Sequence, residues 1–516
     1  MNSEAYLILH NANVITLDET RPGATTIAVK GNRILDVGTK DGIERLKGTE
    51  TEVIDCHGKT VLPGFNDAHC HPLALAVSLL SVDCRPPSVK SISDIQAQIK
   101  QQASRVPPGK WIRATGYNEF YLTEKRHPNR WDLDKASPDH PVKLSHRTGH
   151  ACVLNSLALR LLEISPETPE PQGSMIDRDL DTGDPNGLLF EMNTYIDKLV
   201  PPFSDEELEV GMGLANEEFV SHGITSIQDA TWTNSIRRWQ TLHRFKDRQE
   251  LAPRISMMIG MGELEEFEAN EVFDRSSINP ALRPGAVKIV IHTTTGSLCP
   301  PQEELNQLVY QAHALGYQVA LHADEQITVE AALTALEYAL SKTPRAGHRH
   351  RIEHCSVCPP RLVQRLKKIN ALVVTQPSFV YYSGQRYLAT VPPDDLEWLY
   401  PIGSLCAGGL RVSAGSDTPV VPLNPLAGIY AAVTRTTETG QSLLPKEGIS
   451  ISDALRLYTL NAAYASFEEN IKGSIAKNKL ADLVILNDDP TKVLPEEIKN
   501  IEVAMTIIDG KIVWSR

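Results

Sequence analysis

The chain has 516 residues, 41% hydrophobic and 22% charged, a composition that excludes wholesale disorder, collagen and extended coiled coil. Its 64 acidic and 51 basic residues leave a formal charge of −13, so there is no basic footprint for nucleic acid or an anionic membrane surface. The length is several times that of a minimal domain and can bury a large core.

The opening residues, MNSEAYLILHNANVITLDE, alternate polar and apolar and lack the basic start, apolar stretch and cleavage site of a secretory signal. The longest apolar run, near Leu73 to Val82, is well short of the about 18–20 residues that cross a bilayer. Eight cysteines, sparse and irregularly spaced, predict no secreted disulfide framework; a reducing cytoplasm is expected. Up to Gly64 the segments AYLILHNANVITLD, TIAVKGNRILDVG and TEVIDCHGKTVLPG are rich in Val, Ile and Thr with Gly or Asn punctuation, which predicts a small antiparallel sheet. Near the other end ADLVILN (481–487) and VAMTIIDGKIVW (503–514) return to that texture, the second with an Asp509-Gly510 hairpin signal. Residues 1–64 and 473–516 are therefore expected to share one small β-sandwich domain.

Between them, apolar runs alternate with helical stretches, the pattern of a parallel sheet wrapped by helices. Eight runs stand out, at 61–69, 223–230, 253–260, 286–292, 317–323, 351–355, 371–377 and 411–417. Eight is the number that closes a (β/α)8 TIM-like barrel, expected over 65–472. The stretch at about 85–204 is too long for one crossover and reads as an insertion over the active-site mouth.

A barrel carries its active site at the C-terminal ends of its strands. There the first run ends in His69-Cys70-His71, the fourth contains Lys288 and ends in His292, the fifth ends near His322, the sixth at His354 and the eighth at Asp417. Residues two apart on a strand face the same side, so His69 and His71 can share a metal while Cys70 points away. Imidazoles and a carboxylate around an open position suit zinc or another borderline divalent ion acting as Lewis acid. Scattered histidines such as His10, His127, His243 and His313 read instead as core or surface residues. Cys355 and Cys358 form a C-x-x-C with no second pair, and read as packing residues.

LPGFNDAHCH (62–71), RIEHC (351–355), SAGSDTPV (413–420) and GSIAKNKLADLVILNDDP (473–490) resemble the amidohydrolase superfamily of metal-dependent hydrolases. NRWDLDKASPDHPV (129–142), GHACVLNSLAL (149–159), GITSIQDA, TQPSF (375–379) and YTLNAAYASFEE (458–469) are similar to its family 3 branch, home of N-substituted formamide deformylase-like enzymes. The resemblance implies that His69 and His71 bind a first metal, His322 and His354 a second, and Asp417 touches the first while shuttling protons. It further implies two Zn2+ per chain bridged by a carboxylated Lys288, and hydrolysis of a non-peptide carbon–nitrogen bond in a small molecule. His150 and Glu191 match positions that recur in the branch, and with His292, Glu325 and Gln376 form the candidate substrate-binding set; a homo-oligomer is left open. The chain departs from the branch at His292-Thr293, where relatives show Asp-Gly, and at Ala323-Asp324-Glu325, where they show Gly-Asp. The resulting His-Ala-Asp-Glu string supports a rival, a mononuclear-metal deaminase using Glu325 as acid, and a noncatalytic barrel is a third alternative.

Overall fold

The structure, a computed structural model, describes residues 4–270, 279 and 281–516. At its centre is an eight-stranded parallel sheet: strand 1 is Phe65–Cys70, strand 2 Ile224–Asp229, strand 3 Arg254–Gly260 and strand 4 Leu282–Val290. Strand 5 is Val319–Ala323, strand 6 Arg351–His354, strand 7 Leu372–Thr375 and strand 8 Val412–Ala414. Each pairs with the next in chain order. The two edges meet at their C-terminal ends, where the Asp417 N–H donates to the His69 carbonyl at 2.7 Å and the His71 N–H to the Thr418 carbonyl at 3.0 Å. The sheet thereby nearly closes into the expected barrel.

Outward-facing aliphatics, among them Ile227, Ile255, Val287, Leu321, Ile352 and Val373, form one core with helix residues such as Phe219, Val309 and Leu336. At about 1.5–3 kcal/mol per fully buried aliphatic side chain, this layer dominates the stabilisation of the barrel. The inside is polar. Hydrogen bonds from strand 6 to strands 1 and 2, which are not its neighbours, run across the barrel: Arg351 reaches the Ala68 carbonyl at 2.7 Å and Gln228 Oε1 at 2.5 Å.

The expected first run, 61–69, proves to be two strands. Thr60–Pro63 belongs to a peripheral sheet and Phe65–Cys70 to the barrel, with Gly64 as the joint. A Cβ at Gly64 would lie 2.2 Å from the Thr225 side chain, so only glycine lets the chain pass this close to strand 2. The antiparallel sheet expected before Gly64 is also corrected: Ala5–His10 pairs antiparallel with Thr26–Lys30 but parallel with Lys47–Asp55. Beside that four-stranded sheet lies a six-stranded one in which Leu483–Leu486 runs antiparallel to Thr60–Pro63. Leu7, Ile27, Val61, Leu483 and Ile507 from both sheets form one core. Arg254 of strand 3 ties this sandwich to the barrel, donating to Asp482 at 2.6 and 3.0 Å and to Asp509 at 2.5 Å.

The stretch between strands 1 and 2 carries a six-stranded sheet of its own, with Ile112–Tyr117, Val142–His146 and Ala151–Leu154 at its centre. Helix Ile92–Ala103 packs on it through Ile92, Ile95 and Ile99, against Leu133, Val142 and Leu144. Tyr117 lies in that core, fully buried.

Candidate metal centre

The ends of strands 1, 5, 6 and 8 bring His69, His71, His322, His354 and Asp417 together. Cys70, between the two strand 1 histidines, turns outward into the core layer. His71 precedes helix Pro72–Leu80, where Pro72 favours the helix start. His354 and Asp417 both have positive φ, 68° and 59°, conformations that cost energy for such residues and persist where the surroundings impose them. Gly415 makes the closure at strand 8 feasible, since a Cβ there would lie 2.5 Å from the His69 backbone nitrogen.

Three of the strand-end imidazoles, those of His69, His71 and His354, have Nδ1 occupied. His69 Nδ1 is 2.5 Å from Glu353 Oε2, His354 Nδ1 is 2.7 Å from Gln376 Oε1, and His71 Nδ1 is 2.8 Å from the Thr231 hydroxyl. A ring that donates from Nδ1 keeps a lone pair on Nε2, the arrangement metal-ligating histidines use. Nε2 of His69 and of His71 lie 3.4 and 2.9 Å from Asp417 Oδ1, and ligand atoms of all three residues fall within 4.8 Å of one another. Two imidazole nitrogens and a carboxylate oxygen gathered this closely form a donor set that fits a divalent metal.

The His354 and His69 rings are 4.7 Å apart between centroids, and His354 and His322 are 4.4 Å apart. Burial, aided by the nearby His69, pulls His354 down to about 3, and burial, His354 and Lys288 hold His322 well below its ordinary range. Both are therefore neutral imidazoles at pH 7, the ligating form. Lys288 of strand 4 is 2% exposed and its Nζ has no hydrogen-bond partner. Burial lowers its ammonium to about 8 against the opposing pull of Glu353 and Asp417, which leaves a fraction of free amine near neutral pH.

Four contributors were not singled out from the sequence. Glu353 and Arg351 form a buried ion pair on strand 6, with Arg351 Nη2 donating to Glu353 Oε2 at 3.0 Å. Burial raises the Glu353 carboxyl, but Arg351 and His69 together outweigh it and hold it far below the usual range. Asp67 accepts the backbone N–H groups of Ser416 at 3.0 Å and His69 at 3.1 Å, joining strands 1 and 8, and its burial pushes it up to about 6. Thr231 completes the set. Period-two spacing placed Arg351 and Glu353 on one face and could have flagged them as a pair.

The remaining candidates ring the mouth. His150, from the insertion, has Nδ1 2.9 Å from Glu191 Oε1, and its ring is 5.8 Å from that of His322. Glu191 also accepts the Thr294 hydroxyl at 2.7 Å, linking the insertion to the segment after strand 4. His292 pairs through its backbone with Cys299, while its Nδ1 is buried without a partner. Glu325 is exposed, and its carboxylate accepts the Thr293 hydroxyl at 2.5 Å. Gln376 orients His354. His313 is a buried structural residue, and Cys355 and Cys358 are free thiols in the core layer.

A nearly closed barrel with a histidine and aspartate cluster at its strand ends defines a metal-dependent hydrolase. The amidohydrolase family profile matches residues 52–514, and the chain belongs to that family. It is 29% identical to the N-substituted formamide deformylase of Arthrobacter pascens, with 99% of this chain and 98% of that protein covered. A putative amidohydrolase of Bacillus subtilis is 27% identical over 99% of each chain. Among solved structures, an uncharacterized metal-dependent hydrolase from Pyrococcus horikoshii shares the fold with a TM-score of 0.75 at 24% identity, covering 95% of this chain and 99% of its own. The chain is thus a metal-dependent amidohydrolase acting on carbon–nitrogen bonds other than peptide bonds. The family implies a divalent metal, which the cluster above accommodates. Among the described residues no helix is long and apolar enough to cross a membrane.

Proposed function

We propose that the chain hydrolyses the amide-type bond of a small N-formyl or N-acyl compound, with His69, His71, His322 and His354 holding two zinc ions bridged by carboxylated Lys288. The observation that carries this reading is the convergence of His69, His71 and Asp417 beside a buried, unpartnered Lys288 amine. Similarity to the formamide deformylase over nearly the whole of both chains supports the substrate class. When bound, the divalent metal lowers the pKa of water and polarises the scissile carbonyl. Asp417 supplies the proton traffic. Its burial raises its pKa, but His69 and His71 outweigh that and hold it well below the carboxylate range, so it is ionised and can take the proton of the attacking water. It then delivers that proton to the leaving nitrogen, which departs as an amine while the acyl part leaves as a carboxylic acid.

Lys288 would join carbon dioxide through its free amine, forming an Nζ–C bond as one C=O π pair moves onto oxygen and releasing one proton to solvent; the carbamate carries one negative charge shared by two oxygens. The deaminase alternative gains no support from the geometry, since Glu325 is exposed and engaged by Thr293 and Lys288 is left without a role. All eight cysteines are free, which supports a reducing compartment such as the cytoplasm. The test is a metal-replete assay of N-formyl amines, N-acyl amino acids, cyclic amides and aminated heterocycles, following amine, acid and ammonia separately. Release of amine with acid from an N-formyl or N-acyl compound supports the reading; ammonia alone from a heterocycle overturns it.

A further inference from the structure

The barrel carries a second concavity, at the end away from the metal cluster. Among the N-terminal starts of strands 4, 5 and 6 lies a cavity of about 140 Å³, into whose lining Gln228, Ser256, Arg283 and Arg351 all enter. Arg283 precedes Lys288 by five residues on strand 4, a separation of about 17 Å along the strand at about 3.3 Å per residue.

Among the described residues of the lining, Arg283 and Arg351 carry the only charges, and no carboxylate is present. The acids behind the lining are engaged. Glu353 pairs with Arg351, Glu469 with Arg349 at 2.6 Å, and Glu268 accepts the Tyr317 hydroxyl. Glu468 accepts from Lys472 Nζ at 2.8 Å and from the Ser466 hydroxyl at 2.8 Å, and it comes no closer to Arg283 than 3.8 Å, beyond hydrogen-bond reach.

Donors are in surplus here. Among the described residues the Arg283 guanidinium and the Ser256 hydroxyl donate no hydrogen bond. Arg351 spends four N–H groups on Glu353, Gln228 and the Ala68 carbonyl, which leaves one on Nη1. Gly285 keeps the wall beside Ser256 open, since a Cβ there would lie 3.0 Å from Ser256 Oγ. Met258, Ala286 and the Phe467 ring supply an apolar side. A cavity of about 150 Å³ holds a benzene molecule, so the room suits about six heavy atoms. Guanidinium donors favour a planar carboxylate, and the apolar side favours a short alkyl group on it.

We propose that this cavity is a second binding site, for a short-chain monocarboxylate held by Arg283 with Ser256 and Arg351, its alkyl part lying on Met258 and Ala286. The site is coupled to the metal centre. Arg351 Nη2 and His69 Nδ1 share Glu353 Oε2, at 3.0 and 2.5 Å. An anion that draws on Arg351 leaves Glu353 a stronger acceptor for His69, and an imidazole supported in that way holds its metal more tightly. By linkage, the metal tightens carboxylate binding by the same factor.

The experiment titrates the zinc-loaded enzyme with isobutyrate and with its neutral isostere 3-methylbutan-2-one, by calorimetry. Isobutyrate is expected to bind at least about 10-fold more tightly than the ketone, and to lose at least about 10-fold in Arg283→Met, because a hydrogen bond to a charged group is removed. Ala286→Leu, which fills the alkyl seat and touches no charge, should exclude isobutyrate as well. Carboxylates also ligate zinc, so the titration is repeated in Asp417→Asn. A site lost in Arg283→Met and retained in Asp417→Asn is the cavity. Binding that survives both Arg283→Met and Ala286→Leu overturns the proposal, as does equal affinity for the ketone or tighter binding of inorganic phosphate. With saturating isobutyrate, zinc release to a chelator should slow at least about threefold in the native protein and stay unchanged in Arg283→Met. Release that isobutyrate leaves unchanged in the native protein overturns the coupling.

Discussion

Glu353 Oε2 lies 2.5 Å from His69 Nδ1 across the interior of the barrel, and the same carboxylate is gripped from below by Arg351. The pair fixes which nitrogen of His69 points at the metal position, and it keeps that nitrogen basic. Glu353→Gln removes the charge while keeping the shape. Outer carboxylates of this sort are worth about 10–100-fold in metal affinity, so the variant should release metal to a chelator at correspondingly lower concentration. It also leaves Arg351 buried with a neutral partner, so thermal unfolding should come earlier as well. Native chelator resistance would sink the orienting role.

Lys288→Ala tests the bridge. The variant is expected to bind about one metal fewer per chain and to lose most turnover, with partial recovery of both in short carboxylic acids that place oxygens where the modified lysine would. Native protein equilibrated with 13C-bicarbonate should show a carbamate carbon signal that the variant lacks. Full metal content without that signal would disprove the modification.

Asp417→Asn keeps the size of the side chain and removes its proton-accepting charge. We expect kcat to fall by about 10²–10⁴-fold with metal largely retained, because four imidazoles remain. Elemental analysis and steady-state kinetics on one preparation separate the two effects; near-native kcat would eliminate the shuttle assignment.

Away from the site, His350 and His313 predict an acid sensitivity. His350 Nδ1 accepts the Val319 N–H at 3.0 Å, its Nε2 contacts His313 Nδ1 at 2.8 Å, and His313 Nε2 donates to the Thr343 carbonyl at 2.7 Å. Neither ring can gain a proton without losing an acceptor, and burial, with His348 and Arg345, holds His350 well below its ordinary 6.5. The folded pKa is below the unfolded one, so the unfolded chain takes up the proton first. The stabilisation is present above about pH 6.5 and is lost as pH falls below that value. Denaturant midpoints between pH 8 and 5 should drop less steeply in His350→Gln than in the native protein; equal slopes would contradict this.

Gly415→Ala should be costly although the change is one methyl group. The new Cβ would meet the His69 backbone, which is held by Asp67 and Asp417 and cannot retreat. A penalty of about 1–3 kcal/mol is expected, together with reduced metal content, since the displaced group is the backbone of a ligand. Unchanged melting and metal content would show that strand 8 can shift.

Much of this architecture was readable because apolar runs ending in His or Asp mark places where a buried strand meets solvent at a barrel rim, as at His69, His322, His354 and Asp417. What escaped notice has a common cause. Arg351 and Glu353 sit inside a strand, and their value comes from partners on strands 1 and 2 that are distant in sequence. Gly64 separates two strands that read as one apolar run, because the clash that requires glycine comes from Thr225, far along the chain.

The pairing of Thr60–Pro63 with Leu483–Leu486 has a consequence for biosynthesis. The early strand emerges from the ribosome lacking the neighbour that completes its sheet, and that neighbour is made only when almost the whole enzyme has been translated. At about 5–20 residues per second the wait is on the order of 20–90 s, during which Val61 and Leu62 have no Leu483 or Ile485 to cover them. The nascent chain therefore needs a chaperone or a temporary contact for its first domain. A stop codon in the last tenth of the message should leave an aggregating product even though every residue of the metal centre has been made.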